Sequence, residues 1–320
     1  MDQPAPKSES VIHETPHNPI PDNAMTGYFE TRDKKRLRYA IFRSDVTRAT
    51  GTVVLLQGRN ETIEKYYETI SELTAAGLWV ATFDWRGQGG SERLLKRSRA
   101  GHVRRFSDYE NDLENFLENI VLPDARLPFF VVAHSMGGLV ALSAAPRLAN
   151  RVERMVVTGP FVGFEGGKWA KRFLRFMVRV LCLIGLGRSS PSGQKQSNPV
   201  FEHNDLTSDR QRFERNRAIY EACPQFILGG PTFRWLSECF RAIKRVQTPD
   251  HLASIRIPTL VIAAGADTIV PIKEVERLAS HFRACELITI DHAKHELFQE
   301  DDLYRGQVMA AAKAFIPGEM

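Results

Sequence analysis

Cysteine is scarce in this sequence: four in 320 residues, at Cys182, Cys223, Cys239 and Cys285, with no CxxC pair among them. That spacing supplies neither a zinc knuckle nor a redox motif, and the density is too low for a disulfide framework. A reducing cytoplasm is the expected setting. Long apolar runs are missing as well. The longest, 180–186, falls far short of the roughly 18 residues needed to span a bilayer. The first 24 residues carry five prolines and lack the apolar stretch of a signal peptide, which predicts a flexible polar leader over 1–27. Acid is absent between Glu165 and Glu202, and no internal repeat is visible. The net charge of +5 is too small to suggest nucleic acid by itself, but it is unevenly spread. Between Pro160 and Asp250 there are 15 Lys/Arg against 8 Asp/Glu, so this stretch stands at +7 and the remainder at −2.

What is present is the balance of a globular protein, with 43% hydrophobic and 25% charged residues, and an alternation of strand and helix patterns. LRYAIFR (37–43) alternates as a strand, and TVVLLQG (52–58) is a continuous apolar run suited to a strand buried on both faces. Helical spacing follows over 61–76 and stops before Gly77. LWVATFDW (78–85) is the next strand, then a glycine-rich loop, a helix over 108–121, a strand at 129–135 and a helix at 136–148. A strand at 154–161 precedes an irregular middle. Beyond it lie TLVIAAG (259–265), a helix over 272–282, CELITI (285–290) and a C-terminal helix. This rhythm predicts a mostly parallel, doubly wound α/β sheet. Chemistry in such sheets collects at the carboxyl ends of the strands.

The most informative stretch is FFVVAHSMGGLVALSAA. An apolar strand runs into a turn of small residues with Ser135 at its apex, and a helix starts at once. Ala133 and Gly137, two positions either side, leave room for a strained apex that exposes the hydroxyl beside a helix N-terminus. The pattern is G-x-S-x-G with Ala in place of the first Gly. Small residues at this point can also simply permit close helix packing.

Here the chain resembles the α/β-hydrolases, and within them the bacterial lysophospholipase and monoacylglycerol lipase branch. The resemblance covers roughly 28 to the C-terminus. It is carried by QGRNETIEKYYE (57–68), DWRGQGGS (84–91), GHVRRFSDYENDL (101–113), AHSMGG (133–138), GGPTFRWL (229–236), AGADTIVP (264–271) and HAKHELFQE (292–300). It implies an α/β-hydrolase fold with core segments 28–161 and 251–320 and a helical cap over 162–250, inserted after the strand ending near Phe161.

A serine hydroxyl needs a general base, and the base needs an orienting acid. In this fold the order is Ser, acid, His, each after a strand. Asp267 follows TLVIAAG and matches the acid, although a turn-capping role is the ordinary one for such an Asp. After the last strand stand His292 and His295; the resemblance assigns the base to His295, because His292 falls where relatives carry Gly or a small residue. Asp84, a rival carboxylate at a strand end, is structural in the family. His102 and His134 lie inside motifs and are expected to support the site by hydrogen bonds. The oxyanion hole is expected from the backbone N–H groups of Met136 and Arg59, the latter in a Gln57-Gly58-Arg59 loop where relatives often carry His-Gly-x. No metal or organic cofactor is implied.

Within the middle segment, KWAKRFLRFMVRVLCLIGLG (168–187) reads as an amphipathic helix. Lys168, Lys171, Arg172, Arg175 and Arg179 fall on one arc, with Trp169, Phe173, Phe176, Met177, Val180, Leu181 and Ile184 opposite. Two readings stay open. The apolar face of 168–184 lies in a lipid headgroup region, as a peripheral contact with the inner membrane face, or it packs on the domain. Thr207 or Ser208 is expected to cap a later helix. Trp169, Phe173, Phe233 and Trp235 are candidates to line a substrate pocket. The resulting expectation is a serine ester hydrolase that releases fatty acid from lysophospholipids. Monoacylglycerols, other esters and thioesters are the alternatives, and a non-catalytic receptor of the same fold is a rival. A nucleic-acid partner is not expected, since no reading motif accompanies the basic helix.

Overall fold

The computed structural model describes residues 11–47, 49–96, 98–191 and 200–316. Eight strands form one sheet: β1 (Ala24–Glu30), β2 (Arg36–Phe42), β3 (Gly51–Leu56), β4 (Leu78–Phe83), β5 (Phe129–His134), β6 (Val152–Thr158), β7 (Thr259–Ala264) and β8 (Cys285–Ile290). Their order is β1-β2-β4-β3-β5-β6-β7-β8. The pairs β1/β2 and β2/β4 are antiparallel and the others parallel. Every residue of β3, β5 and β7 is buried, as their unbroken apolar runs require.

Helices cover both faces: α1 (Tyr67–Ala75), α2 (Ser107–Phe116), α3 (Met136–Leu148), α4 (Lys168–Leu183), α5 (Arg210–Ala222), α6 (Phe233–Val246), α7 (Ile272–Ala279) and α8 (Asp302–Phe315). Alternate side chains of each strand divide between two cores. Val54, Leu56, Val131 and Ala133 pack with residues of α2 and α3, while Val53, Leu55, Phe130 and Val132 pack with α1 and α8. The chain leaves β3 for β4 on one side and returns to β5 on the other. Strand order therefore reverses between β3 and β5, and a crevice opens at their carboxyl ends.

Two expectations about organisation change. Residues 1–10 of the predicted leader lie outside the described residues, but 11–27 are not a loose tail. Arg38 donates to Val11 O at 3.1 Å, Asn18 Nδ2 to Glu64 O at 2.9 Å and Tyr67 Oη to His13 O at 3.0 Å, and Ala24–Glu30 is an edge strand. The prolines hid a segment that is tied down by these bonds to distant residues. Likewise α6, placed in the cap by the broken rhythm, buries Trp235, Cys239, Ala242, Ile243 and Val246 in the same core as Leu139 and Val140 of α3. The insertion is tied back to the core loop by parallel pairing of Gly229–Pro231 with Ala100–Gly101. α5 is capped by Asp209, which accepts from Arg212 N at 2.7 Å, rather than by Thr207 or Ser208. Those two instead bond Gln299 and Glu300.

Candidate active site

Ser135 follows β5 directly and holds φ 49° and ψ −111°, a left-handed conformation that a non-glycine residue adopts only when its surroundings enforce it. Its N–H donates to Thr158 O at 3.0 Å, and its carbonyl accepts from Leu139 N at 3.1 Å and Phe161 N at 3.0 Å. Both backbone groups are thus tied to β6 and α3, and the side chain is turned into the crevice. The small neighbours are necessary. A Cβ on Gly137 would come within 2.5 Å of Leu56 O.

The side chains expected from distant motifs meet here. Ser135 Oγ lies 2.9 Å from His295 Nε2, and His295 Nδ1 lies 2.6 Å from Asp267 Oδ2. The other Asp267 oxygen accepts from Ile269 N at 2.8 Å and Val270 N at 2.9 Å, so the carboxylate is anchored by its own turn. His295 and Ser135 are buried. Such a chain orients the imidazole with Nδ1–H toward Asp267 and leaves Nε2 free to accept the hydroxyl proton. His292 stands exposed on the same loop with φ 62°, in the left-handed region that favours glycine. Asp84 is fully engaged elsewhere, accepting from Arg38 Nε at 2.8 Å, Gly90 N at 2.7 Å and Ile63 N at 3.1 Å.

The loop after β3 is held by a residue the sequence reading passed over. Glu61 accepts from Gly58 N–H and, at 2.8 Å, from Tyr66 Oη. Gly58 N–H is therefore occupied, whereas no hydrogen bond among the described residues uses Arg59 N–H or Met136 N–H. Lys65 bridges Glu61 at 2.7 Å and Glu296 at 2.5 Å. Burial raises the Glu61 carboxyl, but the Lys65 ammonium outweighs it and holds it below the usual range, while burial keeps Glu296 above its own. The i,i+4 Glu61/Lys65 spacing was the available signal. His134 donates to or accepts from Thr158 Oγ1 at 3.1 Å, and burial pushes its imidazole down to about 4. His102 pairs with Thr232 Oγ1 at 3.0 Å and is pushed down to about 4 by burial and nearby arginines. His134 lines the same cavity as Ser135, whereas His102 does not. Among the described residues no group of three or more His, Cys, Asp or Glu is arranged to hold a metal ion.

A cavity of about 1100 Å³ opens onto Ser135 and His295, with Phe161, Phe213, Ile227, Leu228, Trp235 and Ile269 among its walls. Its size and lining suit one acyl chain with a polar end. Of the four pocket candidates, only Trp235 lines it, with Nε1–H donating to Tyr109 Oη at 3.1 Å. Phe233 starts α6, half-buried and outside the lining. Trp169 and Phe173 do not line it either, being 82% and 66% exposed.

The reason is the orientation of α4. Lys171 reaches Glu274 at 2.8 Å, and Lys171 and Arg175 lie 5.4 and 5.9 Å from the Phe164 ring centre. Part of the cationic arc thus faces the body, together with buried Val178; the side chain of Lys168 is outside the described residues. The aromatic face is left in solvent, with Phe176 62%, Leu183 83% and Ile184 64% exposed and Arg172 and Arg179 beside it. The helix packs on α6 through its other side. No helix among the described residues is long and apolar enough to cross a membrane.

Comparison with known proteins agrees with this architecture. The chain is 28% identical over 301 residues to the probable lysophospholipase L2 of Haemophilus influenzae, covering 93% of this chain and 94% of that one. It is 31% identical over 286 residues to lysophospholipase L2 of Escherichia coli K12, covering 82% and 79%. A soluble variant of monoglyceride lipase from Saccharomyces cerevisiae, solved with a substrate analog, superposes with a TM-score of 0.71 over 97% of this chain and 98% of that one; at 20% identity the likeness is one of fold. Residues 47–302 match the family described as serine aminopeptidase, S33. With an α/β-hydrolase sheet and most of its length matched, the chain belongs to that family.

Proposed function

We propose that the protein is a serine hydrolase that releases fatty acid from lysophospholipids, with monoacylglycerols as a second substrate class. The observation that carries this reading is the Ser135–His295–Asp267 relay opening onto an apolar-walled cavity. Ser135 Oγ attacks the acyl carbonyl while His295 Nε2 takes its proton. The charge that develops on the carbonyl oxygen is met by Met136 N–H and Arg59 N–H, both without another acceptor among the described residues. The imidazolium, stabilised by Asp267, then protonates the departing glycerol oxygen and leaves an acyl-enzyme. Water attacks that ester with His295 again as base, and fatty acid leaves as Ser135 recovers its proton. The intact relay argues against a non-catalytic receptor.

The exposed aromatic face of α4 supports a peripheral contact with lipid. Buried in the headgroup boundary, Trp169, Phe173, Phe176, Leu183 and Ile184 lose an unfavourable exposure to water, and Arg172 and Arg179 meet anionic phosphate. On this reading the protein works at the inner membrane face, with its substrate in the same layer. The deciding experiment is fatty-acid release from lysophospholipids, monoacylglycerols and p-nitrophenyl esters by purified protein. Release is expected from the wild type and lost in Ser135→Ala; full release by the variant refutes the assignment.

A further inference from the structure

Three cationic side chains are among the walls of the cavity, and the hydrolytic chemistry uses none of them. Of its charged walls, Lys65 is bracketed by Glu61 and Glu296, and Arg217 is paired with Glu214 at 2.8 Å and Glu221 at 3.1 Å. Arg59 has no carboxylate partner among the described residues. Its Nη2 donates to Gly229 O at 2.5 Å and its guanidinium lies 5.2 Å from the Trp235 ring centre, both of them wall residues of the same cavity. Its Nε is buried with no acceptor among the described residues. The ionisable groups acting on it are Tyr109 and Cys239, which are neutral near pH 7. Room for the guanidinium is made by Gly101, where a Cβ would stand 2.7 Å from Arg59 Nη2.

An arginine keeps its charge in any protein environment, so a half-buried one whose Nε is shut off from water costs free energy unless a ligand supplies an anion. Its place in the chain limits which anion. The backbone N–H of the same residue is the oxyanion donor proposed above, and the side chain extends about 6 Å from its own Cα by ordinary bond lengths. In a 1-acyl glycerophospholipid the phosphorus lies six bonds from the carbonyl carbon, with five atoms between them, a span of about 7–8 Å when extended by the same lengths. One residue therefore can meet both ends of the glycerol unit.

We propose that the Arg59 side chain is the phosphate-recognising group of the cavity, pairing with the headgroup phosphate and favouring phosphorylated over neutral single-chain lipids. This rests on the hydrolase reading above. The planar fork of a guanidinium suits two phosphate oxygens, and its free Nε–H is one of the donors that would make that pair.

The test compares kcat/KM on 1-palmitoyl lysophosphatidylglycerol and 1-palmitoylglycerol for wild type, Arg59→Gln and Arg59→Lys. The ratio of the two values is expected to fall about 10- to 100-fold in Arg59→Gln, the range for a lost charged hydrogen bond, and to recover in part in Arg59→Lys. An equal fall on both lipids, leaving the ratio unchanged, means the side chain only braces the loop and overturns the proposal. A second measurement uses Ser135→Ala protein and calorimetric titration with sn-glycerol 3-phosphate, glycerol and inorganic phosphate. Binding of sn-glycerol 3-phosphate is expected to exceed that of the other two and to weaken at least tenfold when Arg59→Gln is added. Inorganic phosphate binding equally well shows a free-anion site and overturns the headgroup assignment. If the wild type releases fatty acid from neither lipid, the hydrolase reading fails, while the titration still upholds or refutes the phosphate site.

Discussion

Adding a single methyl group at Gly137 puts the coupling between the Ser135 turn and the oxyanion loop to a direct test. Gly137 lies in the first turn of α3, and an added Cβ would stand 2.5 Å from Leu56 O and 2.6 Å from Gln57 O, where ordinary contact begins at 3.4 Å. Both atoms are backbone, so no side chain can swing aside. Relief demands a shift of about 0.9 Å between α3 and the end of β3, which is more than the roughly 0.5 Å within which a catalytic arrangement works. That strand end carries Gly58 and Arg59, so the shift separates Arg59 N–H from Ser135 Oγ. Loss of one oxyanion donor costs about 10²- to 10³-fold in kcat, and the overpacking costs about 1–3 kcal/mol of stability. Gly137→Ala is therefore expected to fold with a lower urea midpoint and to lose that factor in kcat on a p-nitrophenyl ester, with KM little changed. Gly138→Ala is the control. Its Cβ would meet Val157 Cγ1 at 2.6 Å on the β6 side, so stability falls while kcat stays within about tenfold, the oxyanion loop being untouched. A folded Gly137→Ala enzyme with kcat within threefold of wild type refutes the reasoning.

Three further outcomes follow from other parts of the fold. Asp84→Ala removes a carboxylate bonded to Arg38, Gly90 and Ile63. It is expected to cost about 3–5 kcal/mol in urea unfolding while kcat per folded molecule persists; a large loss of kcat at unchanged stability would make Asp84 the acid. His134 is pushed by burial down to about 4 from the ordinary 6.5, so the unfolded chain takes up its proton first and stability falls as pH drops from 6.5 to 4. One such group contributes on the order of 3 kcal/mol across that window. His134→Gln is expected to flatten the difference between urea midpoints at pH 7 and pH 4.5; an identical slope in both proteins counts against it. Trp169→Ser and Phe176→Ser are each expected to weaken sedimentation with phosphatidylglycerol vesicles at least tenfold, from about 1.5–3 kcal/mol per buried aromatic. Unchanged vesicle binding removes the membrane contact.

The sheet and the relay were legible in the sequence because each depends on signals carried by a few adjacent residues. TVVLLQG and FFVVAHS read as strands buried on both faces since no polar residue interrupts them, and both are fully buried in the sheet. Ser135, Asp267 and His295 each stand just past a strand, and parallel strands carry their ends to one rim however far apart they lie in the chain. By contrast, 11–27 had no such signal. Its order comes from Arg38, Glu64 and Tyr67, whose bonds to it span between 27 and 54 positions along the chain.

The same distinction explains the cap helix and the pocket. Periodicity in 168–184 divides the helix into a basic arc and an apolar arc, but a helix wheel has no inside until a partner defines one. Here the partner is Glu274, 103 residues away, together with Phe164, and both receive cations. A buried lysine is tolerable only when it is paired, so Lys171 turns inward with Glu274 and the aromatic arc is forced outward. Trp169 and Phe173 leave the pocket for that reason, and not through any weakness of their apolar character. Arg59 is the opposite case. There the fold brings a cation inward and supplies no carboxylate among the described residues, and what distinguishes it from Lys171 is invisible in its neighbours Gly58 and Asn60. An electrostatic imbalance of this kind belongs to the three-dimensional site, and it is settled by a ligand rather than by the chain.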